Sequence, residues 1–279
     1  MPELPEVETV RRGLIPRLVG RRIVRLTQRR RDLRLPLPQR FAQRVEGRTV
    51  RAIDRRAKYL LIRLDDGQTL IAHLGMSGRM TLHDAASAAQ HPFQRHDHVV
   101  METDQGWQVR FNDARRFGLM LLVPDDAVAT HKLFKGLGPE PLDEAFDGAA
   151  LASRLKGRRT PIKAALLDQK TLVGVGNIYA CEALFLSKIS PRRSAHTIQG
   201  ERAEQLVGAI KQVLRRSIED GGSTLRDHVQ PDGELGYFQT RFNVYDRAGA
   251  ACPTRNCGRT VRRLVQAGRS TFYCASCQR

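Results

Sequence analysis

The chain has 279 residues, 41% of them hydrophobic and 27% charged, enough apolar material for about two domains with packed cores. No apolar run reaches the ~18 residues of a membrane span. The acidic opening MPELPEVETV is unlike a secretory signal, so a reducing cytoplasm is the expected compartment. The net charge of +18 sits at the two ends: residues 1–60 hold 17 Lys and Arg against 6 acids, and residues 241–279 hold 8 against 1. Charge gathered this way, and carried mostly by arginine, suits a nucleic-acid polyanion held between two lobes. No basic amphipathic anchor points to a membrane surface.

Leu4, Val7, Val10 and Leu14 recur at helical period, so a helix should anchor the N-terminus, with Pro5 in its first turn and Pro16 ending it. From residue 20 to about 123 the texture is that of short strands. Segments 59–64 and 69–73 flank Asp65-Asp66-Gly67, and 99–103 and 107–111 flank Asp104-Gln105-Gly106, two hairpin signals; 119–123 is a further strand. These elements predict a β-sandwich or barrel-like first domain. Residues 124–147, rich in Gly and Pro, read as a linker. Helices are expected over 151–156, 162–169, 178–188 and 201–219, with a glycine-rich turn, Val173-Gly174-Val175-Gly176-Asn177, opening onto the third. The fold class expected is α+β, with domains at 1–133, 134–240 and 241–279.

Cys252 and Cys257 are separated by four residues, Cys274 and Cys277 by two, with sixteen between the pairs. Two close pairs joined by a β-like hairpin suit one tetrahedral zinc, and a closed four-cysteine set folds a module rather than catalysing. Disulfides are disfavoured in a cytoplasmic chain. Cys181 lies in an apolar helix and reads as core. The hairpin tip, Gln266-Ala267-Gly268-Arg269, would present Arg269 outward.

The opening Met-Pro-Glu-Leu-Pro-Glu-Val-Glu-Thr, together with the four-cysteine finger, resembles the formamidopyrimidine-DNA glycosylases. The resemblance continues in order through Arg56-Ala57-Lys58-Tyr59-Leu60, His73-Leu74-Gly75-Met76-Ser77-Gly78, Arg115-Arg116-Phe117-Gly118 and Gly174-Val175-Gly176-Asn177-Ile178-Tyr179. It closes with Gly221-Gly222, Gly236-Tyr237-Phe238 and Arg269-Ser270-Thr271-Phe272-Tyr273-Cys274. It implies an N-terminal β-sandwich with a leading helix and a C-terminal helix–two-turns–helix unit ending in a zinc finger. It also implies a monomer that excises oxidised purines from double-stranded DNA and cleaves the abasic site by β- and δ-elimination.

On this resemblance Met1 is removed and the Pro2 amine becomes the nucleophile that forms a Schiff base with the sugar. An α-amino group titrates roughly two units below lysine, which leaves a useful neutral fraction. Glu3 is implied as general acid and Lys58 as a proton donor in elimination. Asn177 and Arg269 are implied as phosphate clamps, His73 as a DNA contact, and Met76, Arg115 and Phe117 as the trio that fills the vacated stack. Ala114 stands where many relatives carry proline, and the Cys252–Cys257 gap exceeds the common two residues. Residues 217–237 correspond to the loop over the extruded base. Two alternatives stay open: an endonuclease VIII-type enzyme for oxidised pyrimidines, and a non-catalytic zinc-finger DNA-binding protein.

Overall fold

A computed structural model describes residues 2–223, 231 and 236–279. The chain divides into two compact units, 1–135 with 220–237, and 136–219 with 238–279. In the first, helix α1 (Leu4–Leu18) carries the expected stripe: Leu4, Val7, Val10 and Leu14 are buried, and the last three share one cluster with Leu18 and residues of both sheets. Pro16 does not end the helix. It lies in the last turn, where its missing N–H forfeits one bond, while buried Leu18 and the Val19 N–H on Ile15 O (3.0 Å) hold the turn closed.

Eight strands follow: β1 (Ile23–Gln28), β2 (Val50–Arg56), β3 (Tyr59–Leu64), β4 (Gln68–His73), β5 (Arg79–His83), β6 (Asp97–Thr103), β7 (Gln108–Asn112) and β8 (Leu119–Pro124). They form two four-stranded antiparallel sheets, ordered β1-β6-β7-β5 and β2-β3-β4-β8. Both anticipated hairpins are present, β3–β4 and β6–β7, as is β8. Strands β1, β2 and β5 and the short helices α2 (Phe41–Val45) and α3 (Ala85–Gln90) were not anticipated. Arginines interrupt β1 and β2, and alternation there is carried by a few buried residues such as Ile23, Leu26, Val50 and Ile53.

The second unit packs α4 (Gly148–Leu155), α5 (Ile162–Leu167), α6 (Asn177–Leu186) and α7 (Glu201–Glu219) around one apolar core. Leu206, Ile210, Val213 and Leu214 supply the buried face of α7. Strands β9 (Arg262–Gln266) and β10 (Arg269–Tyr273) form the hairpin expected between the cysteine pairs. Phe272, Val244 and Val261 pack it onto Cys181 and Phe185 of α6, so Cys181 is core. Glu182, 1% exposed, accepts the N–H groups of Asn243, Val244 and Tyr245 at 2.9 Å and ties α6 to the segment leading into the finger. No helix among the described residues is long and apolar enough to cross a membrane.

Candidate active site

Pro2 is buried immediately before α1, and Glu3 is that helix's N-cap. The Glu6 carboxylate reaches back to accept the Glu3 N–H at 2.8 Å, one arm of a capping box, which fixes the first turn and the residues before it. Its other oxygen accepts the Ser223 N–H at 3.0 Å. Glu3 itself is 8% exposed and meets the Lys58 ammonium. Burial pushes the Glu3 carboxyl above the usual carboxylate range, and the Lys58 charge only partly opposes it. A carboxyl held protonated at higher pH than usual can act as a general acid toward a group that reacts beside it.

Lys58 follows Ala57, which takes a left-handed turn conformation (φ 54°) between β2 and β3. Arg55 steadies that turn by donating from Nη1 to Ala57 O at 3.0 Å. Its Nε donates at 3.2 Å to Glu8 on α1. Glu8, buried and also bonded to Arg11 and Arg12, thus links the helix behind Pro2 to the turn presenting Lys58. Neither Glu6 nor Glu8 was singled out from the sequence. Their spacing from Glu3 in the first two turns was the available signal.

His73 ends β4 with its ring 4.7 Å from that of Tyr59. Burial, with Lys58 and Arg34 nearby, lowers its pKa to about 4, so the imidazole is neutral at physiological pH. Nδ1 accepts the Gly75 N–H at 2.9 Å, which leaves the proton on Nε2 as a neutral donor. Below pH 6.5 the unfolded chain binds a proton that the folded chain refuses until about pH 4. Stability is therefore lost as pH falls through that window, by about 3 kcal/mol in all. His73→Gln should lose correspondingly less over the same interval, as measured by urea denaturation at its two ends.

The next turn brings three exposed side chains together. Met76 and Phe117 are 37% and 44% exposed, and the Arg115 guanidinium lies 4.7 Å from the Phe117 ring centroid. Gly75 makes the approach possible: a Cβ there would sit 2.4 Å from the Phe117–Gly118 backbone, and its φ is +65°. Fully buried Asp113 locks the two loops, accepting Ser77 Oγ at 2.6 Å and the Gly118 N–H at 2.8 Å. Ser77 Oγ in turn accepts the Arg115 N–H at 3.1 Å. A large exposed apolar pair with a cation, held by a buried acid, is an arrangement suited to wedging into a base stack. Asp113 was missed because its partners lie 36 and 5 residues away. Of the expected covering loop, residues 224–230 and 232–235 lie outside the described residues.

In the second unit, Asn177 is the first residue of α6, where unpaired backbone N–H groups favour an anion. Its Nδ2 donates to Ser270 O at 3.0 Å, while its Oδ1 is buried without a hydrogen-bond partner among the described residues. Arg269 opens β10 and is exposed. Lys163 of α5, fully buried, donates to Ser270 O (3.0 Å) and Thr271 Oγ1 (2.7 Å). One carbonyl next to Arg269 is therefore gripped by two side chains of the helical core. Lys163 was not anticipated; within 162–169 it read as an ordinary helix lysine.

The Sγ atoms of Cys252, Cys257, Cys274 and Cys277 all lie within 4.8 Å of one another, with pairs at 3.4, 3.6 and 3.8 Å. Zinc–thiolate bonds of ~2.3 Å define a tetrahedron with edges of about 3.8 Å, and disulfides of ~2.05 Å do not fit these separations. The donor set fits one structural zinc, with no open position.

Three family models cover the chain: the formamidopyrimidine-DNA glycosylase N-terminal domain at residues 1–120, its H2TH domain at 137–229, and the zinc finger found in FPG and IleRS at 251–279. Formamidopyrimidine-DNA glycosylases of Dinoroseobacter shibae and Cereibacter sphaeroides are 55% and 56% identical, over the full length of both chains in each case. Among solved structures, the MutM (Fpg) protein of Thermus thermophilus is 42% identical with a TM-score of 0.84, covering 99% of this chain and 98% of that one. The Lactococcus lactis Fpg, in a complex with abasic-site DNA, is 35% identical with a TM-score of 0.86 over 99% of each chain.

Proposed function

Because the chain belongs to the formamidopyrimidine-DNA glycosylase family, we propose that it is a bifunctional DNA glycosylase and abasic-site lyase, acting on oxidised purines in base excision repair. The observation that carries this reading is the buried meeting of Glu3 and Lys58 beside Pro2 at the head of α1. With Met1 removed, the neutral Pro2 nitrogen attacks C1′ of the damaged nucleotide, the bond from C1′ to the base breaks, and the departing base takes up the proton that the nitrogen sheds. Glu3 delivers a proton to the sugar ring oxygen, the ring opens, and the nitrogen lone pair completes an iminium at C1′. The iminium acidifies C2′. Loss of that proton expels the 3′ phosphate, and a second elimination expels the 5′ phosphate, with Lys58 placed to exchange protons. Zinc takes no part in these steps; it folds the hairpin that bears Arg269.

Extruding a nucleotide costs a few kcal/mol, which phosphate contacts and a wedge must offset. Asn177, Arg269 and the neutral His73 Nε2–H are assigned to phosphates. Met76, Phe117 and Arg115 are assigned to the vacated stack and the orphaned base. The preferred substrates are 8-oxoguanine and formamidopyrimidines, and the compartment is the bacterial cytoplasm where the nucleoid lies. The complexes of the Lactococcus lactis protein with Fapy-dG and abasic-site DNA support the substrate class. The wedge trio, clamped by Asp113, favours this over an oxidised-pyrimidine enzyme. Single-turnover excision from duplexes carrying 8-oxoguanine, a formamidopyrimidine or thymine glycol tests it. The purine lesions should be processed fastest, and a preference for thymine glycol would overturn the assignment.

A further inference from the structure

After α6 the chain returns across α5 through residues 188–197, and this return borders a shallow cavity, open to solvent, of about 460 Å³ lined by Ser190, Arg192, Arg193, Ser194, Thr197 and Arg279. Its walls are fixed by main-chain bonds. Arg193 O accepts the Ile162 N–H at 2.7 Å, and the Ser190 N–H donates to Arg279 O at 3.1 Å. Arg193 Nε also donates to Arg279 O, at 3.2 Å. No Asp or Glu side chain lines the cavity. None of its three guanidiniums is paired with a carboxylate side chain among the described residues, and Arg192 and Arg279 are exposed. Neighbouring Arg158, by contrast, is neutralised by Asp168 at 2.8 Å.

Three arginines without a partner among acidic side chains line this one shallow site, where an anion would relieve their mutual repulsion and planar guanidiniums match phosphate oxygens. Position narrows the choice of anion. Gln266 Nε2 donates to Pro191 O at 3.1 Å, and Gln266 is the cross-strand partner of Arg269. The cavity therefore begins one residue contact from the hairpin tip.

We propose that this cavity is a second phosphate site, which takes backbone phosphates of the DNA duplex beyond those held at Arg269. The proposal rests on the reading of Arg269 as a phosphate clamp. Neutralising each phosphate contributes about 0.9 to the slope of log K against log salt. In the zinc-loaded full chain, R192Q/R279Q should lower that slope by about 2 on a duplex bearing an uncleavable abasic analogue. Its affinity deficit should then shrink about 12-fold between 50 and 200 mM salt. Single-turnover cleavage at saturating DNA should be unchanged.

The charge-matched control R215Q/R216Q, on exposed positions of α7, should leave the slope at the wild-type value. An equal drop in that control reduces the effect to net charge and overturns the site. An unchanged slope in R192Q/R279Q, with a lowered one in R269Q, overturns the cavity proposal and leaves the clamp standing. If R269Q also leaves the slope unchanged, the clamp reading falls and the cavity proposal with it. Phosphorus NMR with inorganic phosphate separates the other source. Broadening abolished in R192Q/R279Q, without any change in DNA slope, would mark a free-phosphate site and overturn the assignment to DNA.

Discussion

Glu3→Gln is expected to slow excision of an oxidised purine by roughly 10²- to 10⁴-fold, the usual worth of a positioned general acid, while strand cleavage at a preformed abasic site persists. Glutamine preserves the shape of the N-cap and its neighbours but has no proton to give to the ring oxygen. The Pro2 amine, proposed to suffice for a sugar already free of its base, is untouched. Burial raises the Glu3 pKa, so the acid form persists above the ordinary carboxylate range and is lost as pH rises through the raised value. Excision by the wild-type protein should therefore fall on that alkaline limb, and Glu3→Gln should lack it. Single-turnover rates on lesion and abasic duplexes across pH give both results. Equal losses on the two substrates would show that Glu3 serves the amine rather than the ring oxygen of the damaged nucleotide.

Removal of the zinc, by chelation or by Cys274→Ser, has the second large consequence. Structural zinc contributes ~10–16 kcal/mol of apparent binding energy in isolated fingers, so the β9–β10 hairpin should unfold without it. Arg269 then has no platform, and the Ser270 carbonyl held by Asn177 and Lys163 is released. Losing one charge-assisted phosphate bond, worth ~1.5–3 kcal/mol, weakens binding by roughly 10- to 150-fold. The sandwich core is a separate cluster from the finger core, so the first unit should keep its own cooperative unfolding. Anisotropy with fluorescent duplex and denaturant unfolding followed on the same chelated sample check both halves. Full DNA affinity without zinc would refute the account of the finger.

What could be read from the sequence follows the range of the interactions. The β3–β4 hairpin is a local object: an Asp-Asp-Gly turn between apolar runs specifies it. The α1 stripe and the cysteine spacing are local too. Strand β2, Val-Arg-Ala-Ile-Asp-Arg-Arg, was hidden because its arginines have partners elsewhere, Arg51 on Asp125 and Arg55 on Glu8. Pro16 misled because a rule for helix interiors was applied to a final turn. At the site, residue types came from motif resemblance, whereas the forces that place them are non-local. Lys58 meets Glu3 across 55 positions, Asp113 joins loops 36 apart, and Lys163 reaches Ser270 across 107. No periodicity or spacing reports a contact of that kind.

The central claim is that a backbone amine, not a lysine, is the nucleophile. Borohydride reduction on abasic-site DNA, followed by peptide mapping of the adduct, tests it most directly, using the processed protein and a form retaining Met1. A stable cross-link is expected on the Pro2 nitrogen of the processed protein, and none in the Met1-retaining form, which should still bind DNA. A cross-link at Lys58 or another lysine, or equal trapping by both forms, would contradict it.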